Sequence, residues 1–265
     1  TVIEGQATVT SSYDRGGEFV LTAPVVCGQF PTRARADAGC PPLTAPALMW
    51  PAVVHPPMSD DRTGAELFVD ALERYGVSRV FGNPGTTELP VVDAIERSDL
   101  AYVLAAHEDI ATGMAAGYAS TRRYHADATG GRGGESGDRA ASAEDRDVLP
   151  LGVANLHLAP GLAHGLGNIY GASVAGAPLL VTAGNHARDF THEEPLLSGD
   201  QEALVDEWTK WSATVQDVEA LPTMLRRAVR VALTPPTGPV FLSLPVDVAL
   251  AETDAEVERL GSIPT

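Results

Sequence analysis

From Thr63 onward the apolar positions alternate between helical spacing and short unbroken runs. Leu67, Phe68, Ala71, Leu72 and Tyr75 fall on one face of a helix that Thr63-Gly-Ala-Glu66 opens with capping-box spacing and Gly76 closes. An apolar strand over 77–81 follows, then a Gly/Pro turn, a helix over about 88–97, a strand over 101–105 and a small-residue helix over about 109–122. The rhythm resumes with a strand over 149–157, a Gly/Ala-rich helix over about 161–176 and a strand over 178–183. A looser acidic region to Trp208, a helix over about 218–233 and a strand over 240–245 complete it. Continuously apolar strands separated by helices predict an α/β fold, a three-layer α/β/α arrangement on a mainly parallel sheet. Ligands of such sheets sit beyond the carboxyl ends of the strands.

Two stretches break the rhythm. Residues 1–57 hold eight of the 20 prolines and keep no sustained period, which predicts a poorly ordered extension, with Met58 as the expected natural start. Residues 124–147 are glycine-rich and polar and read as a solvated insertion loop. The folded domain is therefore expected over 58–250.

Charge narrows the function classes. The 265 residues carry a net charge of −17, and Lys210 is the only lysine. The extension contributes four acids and three arginines, so nearly all the acidity belongs to the folded part. That balance argues against a nucleic-acid binder and predicts a surface suited to a salt-rich cytoplasm, halophilic in character. Cys27 and Cys40 give neither metal spacing nor a disulfide framework. The apolar run 19–27 is short and broken by Pro24, unlike a secretory signal, and no stretch has the length of a membrane span.

Three strand ends carry candidate chemistry. In Phe81-Gly-Asn-Pro-Gly-Thr-Thr-Glu-Leu-Pro90, Asn83, Pro84 and Gly85 make a tight turn, and Thr86 and Thr87 place hydroxyls at a helix start, a site for an anion or polar ligand or a plain capped turn. In Ala105-Ala-His-Glu108, a carboxylate at the end of an apolar strand is partly desolvated and suited to share a proton with a bound base. An ordinary helix-start acid reads the same way. In Ala154-Asn-Leu-His157, a histidine leads into a glycine-rich helix, either as an acid–base group or as a satisfied strand-end histidine. His186 and His192 give only a weak metal pattern.

Taken in order, these segments resemble the pyrimidine-binding domain of thiamine diphosphate-dependent enzymes, nearest the benzoylformate decarboxylase and acetolactate synthase branch. The likeness runs from Thr63 to Ala249. It rests on the 79–90 turn, His107-Glu108 ahead of Met114-Ala-Ala-Gly-Tyr-Ala119, Asn155-Leu-His157 with Gly167-Asn168, Pro178 to Gly184, and Pro235 to Pro245. The resemblance implies that Glu108 hydrogen-bonds the aminopyrimidine of thiamine diphosphate and favours the imino form that takes the thiazolium C2 proton. It also implies a 2-oxo acid substrate whose carbon dioxide leaves into the cofactor's electron sink. His157 matches a substrate-facing histidine of benzoylformate decarboxylase, and Thr86 stands where that enzyme carries serine. Asn83, Pro84, Gly85 and Asn168 are the further cofactor-binding candidates.

The resemblance also implies a middle domain, toward which 251–265 would begin a linker, and a third domain whose Gly-Asp-Gly and Asn-Asn elements hold Mg²⁺ and the diphosphate. Nothing after Asp247 supplies those elements, so the metal ligands are expected outside this chain and no residue here is assigned to metal. Flavin (FAD) use, known among acetolactate synthase relatives, is not readable from these residues. The active site of the family forms between subunits, which implies a homodimer or homotetramer of a longer chain, or a separate diphosphate-binding subunit, and an inactive fragment on its own. A non-catalytic remnant is the alternative. A Rossmann-like nucleotide domain would need a glycine fingerprint that the first βα turn lacks.

Overall fold

The computed structural model describes residues 4–13, 17–26, 62–130 and 149–262. They fall into two units, 1–54 and 55–265. In the first, β1 (Glu4–Tyr13) and β2 (Gly17–Val26) pair antiparallel in continuous register from Glu4↔Val26 to Tyr13↔Gly17. The expected featureless extension thus contains a two-stranded ladder. Both strands are rich in Thr and Val, a strand signal that the proline count of the whole stretch obscured. The stretch from residue 27 to 61, including Met58, lies outside the described residues.

In the second unit, β3 (Arg62–Thr63) leads into α1 (Gly64–Arg74), β4 (Arg79–Gly82), α2 (Leu89–Glu96), β5 (Ala101–Leu104) and α3 (Glu108–Gly130). Then come β6 (Gly152–Leu156), α4 (Leu158–Ala175), β7 (Leu179–Asn185), α5 (Gln201–Val205) and β8 (Ser212–Thr214). α6 (Leu221–Leu233), β9 (Pro239–Pro245), α7 (Val246–Leu250) and β10 (Glu252–Thr253) finish the chain. The capping box at α1 forms as expected: the Thr63 amide donates to Glu66 Oε2 at 2.8 Å and the Glu66 amide to Thr63 Oγ1 at 3.3 Å.

Six strands make one parallel sheet in the order β5-β4-β6-β7-β9-β8. Consecutive strand residues serve opposite faces. Val153, Leu180, Val240 and Leu242 pack under α1, α2, α6 and α7, while Ala154, Leu156, Leu179, Val181, Ala183 and Phe241 pack under α3, α4 and α5. Both faces are dry, which is why the strands read as unbroken apolar runs. The α3 face uses small residues for a close approach: a Cβ on Gly152 would lie 2.2 Å from the carbonyl oxygen of Ala115.

Three boundaries differ from expectation. α3 continues to Gly130 through the start of the predicted insertion loop, and 131–148 lie outside the described residues. α5 occupies part of the loose acidic region and β8 lies just beyond it, where no element was expected; a three-residue polar edge strand leaves no period to detect. The residues expected to begin a linker stay with the domain as far as 262. β10 pairs with β3, the Tyr75 hydroxyl donates to the Glu258 carbonyl at 2.9 Å, and Arg230 donates to the Leu260 carbonyl at 3.0 Å. Among the described residues no helix is long and apolar enough to cross a membrane.

Candidate functional site at the β4–β6 crest

The chain leaves β4 outward to β5 and then returns to place β6 on the other side of β4. At such a reversal of strand order the two following connections splay apart and leave a crevice beyond the carboxyl ends. All three candidate segments end there.

Glu88 organises the first segment. It is 1% exposed, at the start of α2, and its carboxylate makes four hydrogen bonds. Oε1 takes them from Thr87 Oγ1 and the Gly184 amide, both at 2.8 Å. Oε2 takes one from the Gly85 amide at 2.8 Å and lies 2.7 Å from His157 Nδ1. One buried carboxylate therefore ties the ends of β4, β6 and β7. With four partners its two oxygens are fully engaged, which is the condition under which a polar group can be buried. The sequence reading did not single out Glu88. Its acid sits among Thr, Leu and Pro like an ordinary helix-start residue, and its partners lie 69 and 96 positions away.

Glycines make room for this network. A Cβ on Gly85 would stand 2.3 Å from the His157 ring, so the imidazole lies against the space where a side chain would be. On the other side Leu158 turns α4 away from β6 with φ of +51°, a left-handed conformation that costs an L-residue about 1–2 kcal/mol. That turn directs His157 along the crest. Its side chain keeps 25% exposure, and among the described residues its Nε2 has no partner.

The remaining predicted residues take distinct places. Thr86 is exposed on the rim, while Thr87 points inward to Glu88 and comes within 3.4 Å of His157 Nδ1. Asn83 Nδ2 donates to the Ala105 carbonyl at 2.8 Å, clamping the β4 end to the segment that leads into Glu108. Pro84 is half-buried beside it. Asn168 Nδ2 donates to the carbonyl and to Oδ1 of Asp109 at 2.9 and 2.8 Å, tying α4 to the first turn of α3. Behind them Tyr102 donates to Asn155 Oδ1 at 3.2 Å, and burial, aided by the Glu88 charge, pushes its phenol well above the ordinary range.

Glu108 opens α3 with 9% exposure. Oε2 lies 3.1 Å from Nδ1 of His164, whose ring stacks on His107 at 4.9 Å between centroids. A Cβ on Gly161 would come 2.9 Å from Oε1, so glycine there lets that oxygen pack close against α4. The two histidine–carboxylate pairs are neighbours: the same Cβ would also lie 3.3 Å from Cβ of His157. His107, Glu108 and His164 bring ligand atoms within 4.8 Å of one another, donors of the type that hold a divalent cation. Nothing in the sequence points to this trio, because His164 lies 56 positions from Glu108 in the chain.

The site also borders exposed apolar surface. Leu104 and Ile110 flank Glu108 in sequence, and each is more than half exposed.

Residues 62–133 match the thiamine pyrophosphate enzyme N-terminal TPP binding domain. The chain is 32% identical over 194 residues to benzoylformate decarboxylase of Pseudomonas aeruginosa, covering 73% of this chain and 32% of that protein. It is 30% identical over 205 residues to the mitochondrial acetolactate synthase of Schizosaccharomyces pombe, covering 77% and 27%. Among solved structures, a thiamine diphosphate-dependent 4-hydroxybenzoylformate decarboxylase of Rhodococcus jostii RHA1 superposes with a TM-score of 0.59 at 29% identity, covering 76% of this chain and 33% of that one. The chain thus spans about a third of the length of the curated relatives it matches.

Proposed function

Because this chain carries the N-terminal cofactor-binding domain of the thiamine pyrophosphate enzymes, we propose that it forms the pyrimidine-binding half of a 2-oxo acid decarboxylase or carboligase in which Glu108 activates the cofactor. The observation that carries the proposal is the state of Glu108: a nearly buried carboxylate at the switch-point crest, with Oε1 packed against Gly161 of α4. A carboxylate so placed accepts a hydrogen bond from a protonated ring nitrogen and holds that proton between the two groups. Thiamine diphosphate, when bound, supplies the electron sink for loss of carbon dioxide from a 2-oxo acid. The rest is done by the protein. Asn83 and Asn168 fix the two segments that position Glu108, and His157 offers a proton-exchanging edge beside it.

The exposed side chains of Leu104 and Ile110, which flank Glu108 in sequence, support an active site completed by a second domain. In this reading that domain brings the diphosphate and Mg²⁺ ligands, from another subunit of a longer chain or from a separate polypeptide. The described residues contain no candidate for them beyond the His107–Glu108–His164 trio, whose carboxylate the cofactor ring needs. Measuring hydrogen–deuterium exchange at C2 of thiamine diphosphate in the assembled enzyme tests the role of Glu108. Glu108→Gln is expected to slow it by about 10²-fold or more, the scale of a lost acid–base group, and unchanged exchange would overturn the assignment.

A further inference from the structure

The hydrogen bonds around Glu88 dictate where His157 carries its proton. Two of the other three donors to Glu88 are backbone amides, which cannot accept, and the third is the Thr87 hydroxyl, directed at Oε1. Glu88 therefore presents an acceptor to each neighbour, and an imidazole nitrogen 2.7 Å from Oε2 must meet it with a hydrogen. A lone pair on Nδ1 would face the carboxylate's own lone pair at that distance. The opposite edge of the ring has no partner among the described residues, and the imidazole retains a quarter of its surface toward solvent. The ring cannot tip away from this arrangement toward Gly85, whose missing side chain it already fills.

We propose that Glu88 is a positioning residue that holds His157 as the Nδ1–H tautomer, so that Nε2 alone exchanges protons with the substrate. The inference rests on the reading that His157 faces a 2-oxo acid. A proton taken up at Nε2 gives an imidazolium still bonded through Nδ1–H to Glu88, and its release returns the same tautomer without ring rotation. The hydrogen-bonding edge offered to substrate is thus set from behind, by a residue that never touches it. Tyr102, behind Glu88, stays neutral through burial and does not compete for the proton, and the neighbouring Glu108 is engaged with His164.

The test is long-range ¹H–¹⁵N correlation of the histidine rings in the full chain, with His157 assigned by loss of its signals in His157→Gln. In the neutral ring Nδ1 is expected to carry the proton with a preference of at least roughly tenfold, equivalent to about 1.4 kcal/mol. Glu88→Gln, which presents a competing amide donor, is expected to abolish that preference. A wild-type ring protonated at Nε2, with Glu88 donating instead, overturns the proposal without recourse to any variant. Should Glu88→Gln not fold, the wild-type spectrum still decides. Absence of thiamine diphosphate binding in the assembled enzyme would remove the functional reading yet leave this tautomer result standing, so the two failures are distinguishable.

Discussion

The Gly184 amide, 96 residues beyond Glu88 in the chain, donates to its Oε1 at 2.8 Å, and a Cβ on Gly184 would stand 2.2 Å from that oxygen. A side chain at 184 and a carboxylate at 88 cannot share the space. Gly184→Ala is therefore expected to expel the carboxylate and strand its other donors, costing about 3 kcal/mol, the scale of breaking a buried, hydrogen-bonded charge. Urea unfolding measures it, and a loss below about 1 kcal/mol would mean that the network relaxes around the methyl group.

Gly161 makes the complementary prediction for binding. Alanine suits a helix interior better than glycine by about 0.5–1 kcal/mol, so Gly161→Ala is expected to fold at least as well. Its methyl group, however, would crowd Glu108 Oε1 at 2.9 Å. Calorimetric titration of the assembled enzyme with thiamine diphosphate and Mg²⁺ is expected to show binding at least about tenfold weaker, the effect of about 1.4 kcal/mol. Equal affinity would count against cofactor approach from that side.

How much of this was legible in the sequence depended on the distance over which each signal acts. The Thr63–Glu66 capping box and the apolar runs of β4, β6, β7 and β9 are local or periodic, and they formed within a few residues of their expected ends. Glu108 and His157 announced themselves as polar residues ending apolar strands. Glu88 did not, because what distinguishes it from an exposed helix-start acid is the return of β6 and β7 beside β4. For the same reason the hydroxyl at 86 looked equivalent to the one at 87, and only the pitch of the short turn from Thr86 to Glu88 sends the second inward. β8 was hidden by its brevity.

Tyr75 links α1 to the end of the described chain and predicts an alkaline limb to stability. Burial, reinforced by Glu258 and opposed by Arg226, raises its phenol from 10.0 to about 12. The folded-state value lies above the unfolded one, so the contribution is fully present below pH 10 and is lost as pH rises toward 12. Tyr75→Phe removes this ionisation along with the bond to the Glu258 carbonyl. Guanidinium unfolding at about pH 9 and pH 11 is expected to show a smaller difference in the variant than in the wild type; an equal difference would assign the limb to other groups.

The single lysine caps a helix. Lys210 Nζ donates to the Thr234 carbonyl at 2.7 Å and to the Val231 carbonyl, at the end of α6, and partial burial lowers its pKa. Lys210→Met is expected to cost about 1 kcal/mol, the usual worth of a cation at a helix carboxyl end. Thermal unfolding checks it; no change would show that water satisfies those carbonyls equally well.

The left-handed turn at Leu158 and the span of the Glu88 contacts together set a schedule. Loops of 69 and 96 residues must close before Glu88 meets His157 and Gly184, and closing long loops is the slow part of assembling a parallel sheet. Until β4, β6 and β7 lie side by side, the chain holds every residue of the crest but none of its proton wiring. Amide exchange at Gly184 then becomes a clock for the site, slowing only when the acid, the imidazole and the strained turn between sheet and helix have all arrived.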